Sequence, residues 1–331
     1  MTAGKSCPES VRADLLSAAR MTVVANGRLF VDRVAIDAPL LSGSEHAALL
    51  SSLAAALYSR WFAGWWPPTS ADGTAEEAPG VIDAVRAAHS ATERFETNWI
   101  ARAVDAHGGV VATRAGEELH LYPPDYVNTT RLAAPVRVGD ALAVTKRRDT
   151  HEPQDGWWLT WGRAGAAPET SMLRVYWNSS VDGVTAIVKA ITAVLEDLNL
   201  PYTMKCPSEP ALFGRRDALV LYLAPDAWSA AKEGLRRACE QTASCVRPET
   251  PPLTLRLAPG VALAEDPGDG TSFGQSRASA VAEGVLEVIT TGTISTEDMI
   301  AILARRLEAN RISPARPFLK LDGPSDRVSG W

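Results

Sequence analysis

Residues 171–223 read SMLRVYWNSSVDGVTAIVKAITAVLEDLNLPYTMKCPSEPALFGRRDALVLYL, and this stretch decides the architecture. In MLRVYWN, Leu173, Val175 and Trp177 alternate with Arg174, Tyr176 and Asn178, the two-residue period of a strand with one polar face. After the Asp182-Gly183 turn, Val184, Ile187, Val188, Ile191, Val194, Leu195 and Leu198 recur at three-and-four spacing, which predicts a helix packed on a sheet. Asn199 and Pro201 end it. LPYTMKC predicts a second short strand with Lys205 near its end. ALVLYL, after Arg215-Arg216-Asp217, is an unbroken apolar run suited to a sheet's centre. The pattern is strand, helix, strand, loop, strand, with cations gathered at strand ends.

Working outward, Pro8 to Ala25 reads as an amphipathic helix and RLFVDRVAI as a short strand. Ser42 and Glu45 have capping-box spacing ahead of HAALLSSLAAALYSRWFAGWW, which predicts a long helix running to Pro67-Pro68. Its aromatics Tyr58, Trp61, Phe62, Trp65 and Trp66 suit core packing first and a peptide-binding or partner surface second. Residues 67–80 have linker composition. ERFETNWIARAVDA reads as a helix closed by His107-Gly108-Gly109, and VVATR, ELHLY, PVRVGDALAV and GWWLTWGR read as strands. We therefore expect an α+β chain, with a helical region over 1–107 and a mixed-sheet domain with flanking helices over 108–331. Further on, PPLTLRLAPG predicts a strand with Arg256, a helix starts near Ser272 with Arg277 in its first turn, and Ser295 caps another.

Composition narrows the function classes. The 331 residues carry a formal net charge of −6, which argues against nucleic acid as the main partner. No apolar run approaches the ~20 residues of a membrane span, and the start of the sequence lacks a signal-peptide core. Cys7, Cys206, Cys239 and Cys245 show neither CxxC nor Cys/His metal spacing, so reduced thiols in a cytoplasmic protein, with no metal and no cofactor, are expected. GxGxxG, P-loop, GxSxG and HExxH motifs are absent. What remains is cationic: Arg174, Lys205, Arg215 or Arg216, Arg256 and Arg277 fall at strand ends or a helix start. That pattern fits either an anion site or ion pairs with acids such as Asp217 and Asp266.

LRVYWN, LPYTMKC, RRDALVLYL, LRLAPGVALAEDPGDGTSFGQSRASAVAEGV and ETNWIARAVDAHGGVVA together resemble the HopA-type family, named for a type III effector of plant pathogens. Members also stand beside kinase-like proteins in gene clusters for modified peptides, including class V lanthipeptides and thioamitides. The resemblance implies more distant kinship with OspF-type phosphothreonine lyases and with the lyase domains of lanthipeptide synthetases. Those enzymes β-eliminate phosphate from phosphoserine or phosphothreonine. A lysine takes the α-proton, and a histidine two residues after a phosphate-binding cation acts as acid.

Lys205 matches the lysine and Arg174 the cation, and Tyr176 stands where the histidine would be. The resemblance thus implies Lys205 and Tyr176 as catalytic residues, with His120 and His151 as other sources of the acid. Arg174, Arg215, Arg216, Arg256 and Arg277 become phosphate ligands and Asn178 a substrate-orienting residue. The implied substrate is a phosphorylated precursor peptide supplied by a separate kinase, with a cyclase as a further partner. A non-catalytic peptide-binding or kinase-activating subunit, and a secreted effector lyase acting on a host phosphoprotein, are the alternatives.

Overall fold

The structure is a computed structural model that describes residues 7–36, 43–65, 80–91, 95–145, 148–150, 156–293, 295–320 and 330–331. Two compact units emerge: residues 1–90 with 151–331, and residues 91–150. Position 108, where the sequence suggested a boundary, falls inside the smaller unit. Ser42 of the expected capping box, Trp66, nearly all of the 67–80 linker and His151 lie outside the described residues.

The larger unit opens with α1 (Glu9–Met21), a three-stranded sheet of β1 (Thr22–Ala25), β2 (Arg28–Val31) and β3 (Val34–Ala35), then α2 (Gly43–Leu57) and α3 (Val81–Ala88). The first helix stops four residues short of expectation because TVVA pairs as a strand. RLFVDRVAI is a hairpin, not one strand: Asp32 and Arg33 turn it at φ of 49° and 69°, a backbone that Asp tolerates readily. α2 does not run to Pro67; its last turn, Tyr58–Phe62, widens into a π-helix.

The smaller unit is a five-stranded antiparallel sheet in the order β6-β5-β4-β8-β7, from β4 (Phe95–Val104), β5 (Val110–Arg114), β6 (Glu117–Leu121), β7 (Tyr126–Asn128) and β8 (Ala141–Thr145). The unit ends in the two-residue strand β9 (Asp149–Thr150). The helix expected over ERFETNWIARAVDA is therefore wrong. Register shifts on both sides of Trp99, with Asn98 at φ 68°, break the two-residue alternation and leave spacing that resembles a helix. His107-Gly108-Gly109 is no helix cap, since the Asp105 carboxylate accepts from the His107 and Gly109 amides at 2.7 and 2.8 Å and closes the β4–β5 turn.

The larger unit resumes with β10 (Trp157–Trp161), β11 (Leu173–Trp177), α4 (Val184–Asp197), β12 (Thr203–Pro207), β13 (Leu219–Leu223), α5 (Pro225–Gln241), β14 (Leu255–Ala258), β15 (Val261–Glu265), α6 (Phe273–Thr291) and α7 (Thr296–Ala309). Within this unit the sheet order is β14-β15-β11-β13-β12-β10. The β11–α4–β12 crossover carries the chain over one strand position, and β13 returns into the gap antiparallel to both neighbours. The described ladders are thus antiparallel even though β11 and β12 run the same way. As its composition suggested, β13 is central.

Alternation then assigns the two faces. Leu173, Val175, Trp177, Met204, Cys206, Leu219, Leu221 and Leu223 pack with Val184, Ile187, Val188, Ile191 and Leu195 of α4 and Trp228 and Leu235 of α5. The helical stripe is the expected one, and Asn199 at φ 48° ends it. On the opposite face, Tyr176, Val220 and Ala264 meet Phe62, Phe273, Val281 and Leu53. Among the described residues no helix is long and apolar enough to cross a membrane.

Leu221 is fully buried at the centre of this sheet. Leu221→Ala should cost about 2–5 kcal/mol in urea unfolding, whereas Val24→Ala, on the exposed side of β1, should stay within about 0.5 kcal/mol. A loss below about 1 kcal/mol for Leu221 would contradict the packing just described.

Candidate active site

Register brings the polar side chains of three strands together. Arg174 stands opposite Tyr222, and Tyr222 opposite Thr203; Tyr176 stands opposite Val220, and Val220 opposite Lys205. Residues so paired share a face and lie about 5 Å apart from strand to strand. Arg215 and Asp217 arrive on the segment that feeds β13, and Trp157 opens β10. The π turn contributes Tyr58 and Phe62, and the start of α6 contributes Ser272 and Gly274. Together these groups and the strand residues enclose a cavity of about 110 Å3, well above the ~10–15 Å3 that one water needs.

Gly274 is what allows the roof to close. A Cβ there would lie 2.5 Å from Phe62 Cε1 and 2.8 Å from Tyr58 Cε2, so only glycine lets the two aromatic rings rest on the first turn of α6. Ser272 caps that helix by accepting from the Gln275 amide, and Gln275 returns the bond to the Ser272 amide. Both aromatics and helix are thereby fixed over the sheet.

Three cations and one carboxylate line the cavity. Arg215 makes a bidentate pair with Asp217 at 2.8 and 2.9 Å and donates a further bond to the Tyr58 hydroxyl at 2.9 Å. Its guanidinium carbon lies 5.4 Å from the Tyr58 ring and 5.5 Å from the Trp157 ring. Arg174 donates to Asp266 at 2.6 Å through Nε, its Nη2 also pairs with Asp266, and it lies 5.2 Å from the Tyr222 ring. Burial opposes the charge of each arginine, but the anionic and phenolic neighbours outweigh it and hold both protonated. Lys205 Nζ sits 4.1 Å from the Trp157 ring centroid. Burial pushes its amine down to about 8, with Asp217 opposing and Arg215 and Arg174 adding to the shift. Burial pushes the Tyr176 hydroxyl well above the ordinary phenol range.

Arg174, Tyr176, Lys205 and Arg215, from the expected set, therefore share one cavity; the others do other work. Arg215, not Arg216, is the partner of Asp217. Arg216 turns away to donate to the Trp61 carbonyl at 2.6 Å. Arg277 lies in the second turn of α6, where it donates to the Pro317 and Leu319 carbonyls at 2.9 and 3.0 Å and tethers the C-terminal segment. Arg256 is exposed on edge strand β14. Asn178 donates to the Glu249 carbonyl and accepts from Arg247, which fixes a loop. His120 lies exposed in the smaller unit. Trp61, for which core packing was the first reading and a partner surface the second, is 1% exposed and donates to Ser17 and the Asp14 carbonyl.

Sequence reasoning left Tyr58, Phe62, Trp157, Asp217, Tyr222 and Ser272 out of the site. Only inter-strand register places Tyr222 and Trp157 on the Arg174 face, since the unbroken apolar run of ALVLYL carries no alternation to show it. The four-residue spacing of Tyr58 and Phe62 placed them on one side of their helix.

A profile of the HopA1 effector protein family matches residues 149–319, the part of the chain that supplies the sheet and α6. The chain belongs to that family. Two solved effector structures from Pseudomonas syringae match the chain, the first of them at the level of the fold. That of pathovar tomato is 14% identical with a TM-score of 0.50, over 94% of this chain and 98% of its own. That of pathovar syringae is 15% identical with a TM-score of 0.39, over 85% of this chain and 99% of its own. No curated protein matches the chain. Family membership assigns the fold, and the chemistry has to be argued from the cavity.

The buried amine yields a test that needs no substrate. With its pKa lowered from 10.5 to about 8, native Lys205 binds fewer protons than the unfolded chain between those values. Its contribution to stability therefore rises with pH across that window, and the desolvation cost is fully present below pH 8. Lys205→Met should stabilise the protein at about pH 7, with the gain shrinking by about pH 10. Paired urea titrations check this, and a gain that grows with pH would contradict it.

Proposed function

We propose that the cavity receives the phosphorylated side chain of a serine or threonine in a peptide and removes the phosphate by β-elimination, leaving dehydroalanine or dehydrobutyrine. The observation that carries this reading is Lys205, an amine that burial holds near neutrality, in the same cavity as the guanidinium groups of Arg174 and Arg215. Elimination needs both kinds of group at once. The α-proton beside a peptide carbonyl is weakly acidic, so the base must be a neutral amine placed against it. Lys205 Nζ takes that proton, the released pair forms the carbon–carbon double bond, and the Cβ–O bond breaks toward phosphate. The two arginines take up the charge that develops there. A phenol of the cavity wall supplies a proton to the departing oxygen.

The substrate must arrive already phosphorylated, which calls for a separate kinase. A precursor peptide of the lanthipeptide type, with a kinase-like partner before this step and a cyclase after it, suits such a product; a host phosphoprotein suits an effector. A second reading, a non-catalytic peptide-binding or kinase-activating subunit, is favoured by the carboxylate that each arginine already holds, which leaves the guanidinium less charge to offer a phosphate.

Mass spectrometry of a phosphothreonine or phosphoserine peptide incubated with the purified protein, without nucleotide, should reveal loss of phosphoric acid. Lys205→Ala should lower the rate by roughly a hundred- to ten-thousand-fold while phosphopeptide binding survives. Undiminished turnover in that variant would remove Lys205 as the base. Binding without turnover by the wild type, with the cognate kinase and peptide present, would favour the second reading. The wild-type rate should climb as pH rises through about 8, where the amine loses its proton, and a flat profile there would be inconsistent with the mechanism.

A further inference from the structure

We infer that Tyr58 supplies the proton to the departing phosphate, so that the acid of the site comes from the N-terminal helical segment and not from β11. This rests on the elimination reading above.

The backbone at Tyr58 departs from the ordinary helix. The Ala63 amide donates to the Tyr58 carbonyl at 2.9 Å, a five-residue step, and such π turns concentrate at functional sites. The widened turn stacks Tyr58 on Phe62 with ring centroids 5.9 Å apart and planes at 14°. Both rings sit against Gly274 where no Cβ fits. The phenol is thus held in the cavity by contacts on two sides.

Its hydroxyl has the pairing an acid needs. Arg215 donates to Tyr58 Oη at 2.9 Å, so the oxygen acts there as acceptor and its own hydrogen is directed elsewhere. Among the described residues it makes no other hydrogen bond. When the proton leaves, the phenolate is already paired with a guanidinium, which is the stronger class of hydrogen bond. Arg215 therefore serves both products of the transfer.

The other phenols are less suited. Tyr176, at the position implied by the family resemblance, is 2% exposed, with its ring between Phe62 and Phe273 at 6.4 and 6.5 Å. Among the described residues no guanidinium donates to its hydroxyl, and although Arg174 favours its phenolate, burial outweighs that and pushes the hydroxyl well above the ordinary phenol range. Tyr222 meets Arg174 through its ring face, and Arg174 directs its Nε to Asp266, whereas Tyr58 receives a guanidinium hydrogen bond at its hydroxyl. In the proposed step the Tyr58 O–H bond breaks as the Cβ–O pair moves onto the bridging oxygen, giving hydrogen phosphate and a Tyr58 phenolate. Fully deprotonated phosphate is a stronger base than an ordinary phenolate; burial and Asp217 raise the Tyr58 hydroxyl above the usual phenol range, and Arg215 opposes them. Solvent returns a proton to Tyr58 and removes the one held by Lys205 once product leaves.

The test varies the leaving group. Elimination from a phosphothreonine peptide is compared with that from the same peptide carrying O-sulfothreonine, since sulfate leaves without needing a proton. Tyr58→Phe should slow the phosphopeptide by roughly a hundred- to ten-thousand-fold and the sulfopeptide far less, while Tyr176→Phe should change both by the same factor. Equal losses on both peptides for Tyr58→Phe, or a leaving-group-dependent loss for Tyr176→Phe, would overturn the inference while leaving the lyase reading intact. A wild type inert on the phosphopeptide would overturn both. Should the wild type not accept the sulfopeptide, 3,5-difluorotyrosine at position 58 supplies the readout. Its more acidic phenol should move the high-pH limb of the phosphopeptide rate to lower pH, and an unmoved limb would overturn the inference.

Discussion

The β11–α4–β12 crossover leaves a gap one strand wide, and the rest of the molecule depends on β13 filling it. A helix packed across the sheet cannot set β12 directly beside β11 here, because Leu219–Leu223 pairs with both. That single insertion places Val220 and Tyr222 between the polar face of β11 and Lys205. It also delivers Arg215 and Asp217, which immediately precede the strand, to the same end. The apolar side of β13 anchors the arrangement in the larger core through Leu219, Leu221 and Leu223. Burying these leucines, each worth several kcal/mol against truncation, keeps the neighbouring polar groups from spreading apart.

The cavity gathers two guanidinium groups paired with carboxylates and one amine of lowered basicity. Each guanidinium has a carboxylate close by, Asp217 for Arg215 and Asp266 for Arg174. Lys205 lies against the Trp157 ring and feels Asp217 along with two cations. A guanidinium stays protonated under almost any burial, whereas an ammonium yields its proton when water is removed from it. The same desolvation thus leaves two permanent cations and one adjustable amine.

The roof of the site comes from elements far away in sequence. Tyr58 and Phe62 belong to the helix that precedes α3, yet they close on α6 because Gly274 leaves room for their rings. The N-terminal helices are therefore not a separate region attached to a sheet domain. They form one core with α6 and the second face of the sheet.

Periodicity in the sequence was enough to specify β11, α4, β12 and β13, to assign the polar face of β11, and to put Arg174, Tyr176 and Lys205 on strands, because alternation and helical stripes are local consequences of which side each residue buries. It failed where local geometry breaks the period: at the bulges around Trp99, in the Asp32-Arg33 hairpin and at the π turn. It also had no means of sorting the arginines. Arg215 and Arg216 are neighbours, and only the fold turns one toward Asp217 and the other toward the Trp61 carbonyl. Arg277 looked like an anion ligand at a helix start, and tertiary packing gave it two carbonyls of the C-terminal segment instead. Residue type and spacing determined that cations would collect near strand ends; register, a missing Cβ and burial decided which of them face one cavity, since those depend on partners brought together only by the fold.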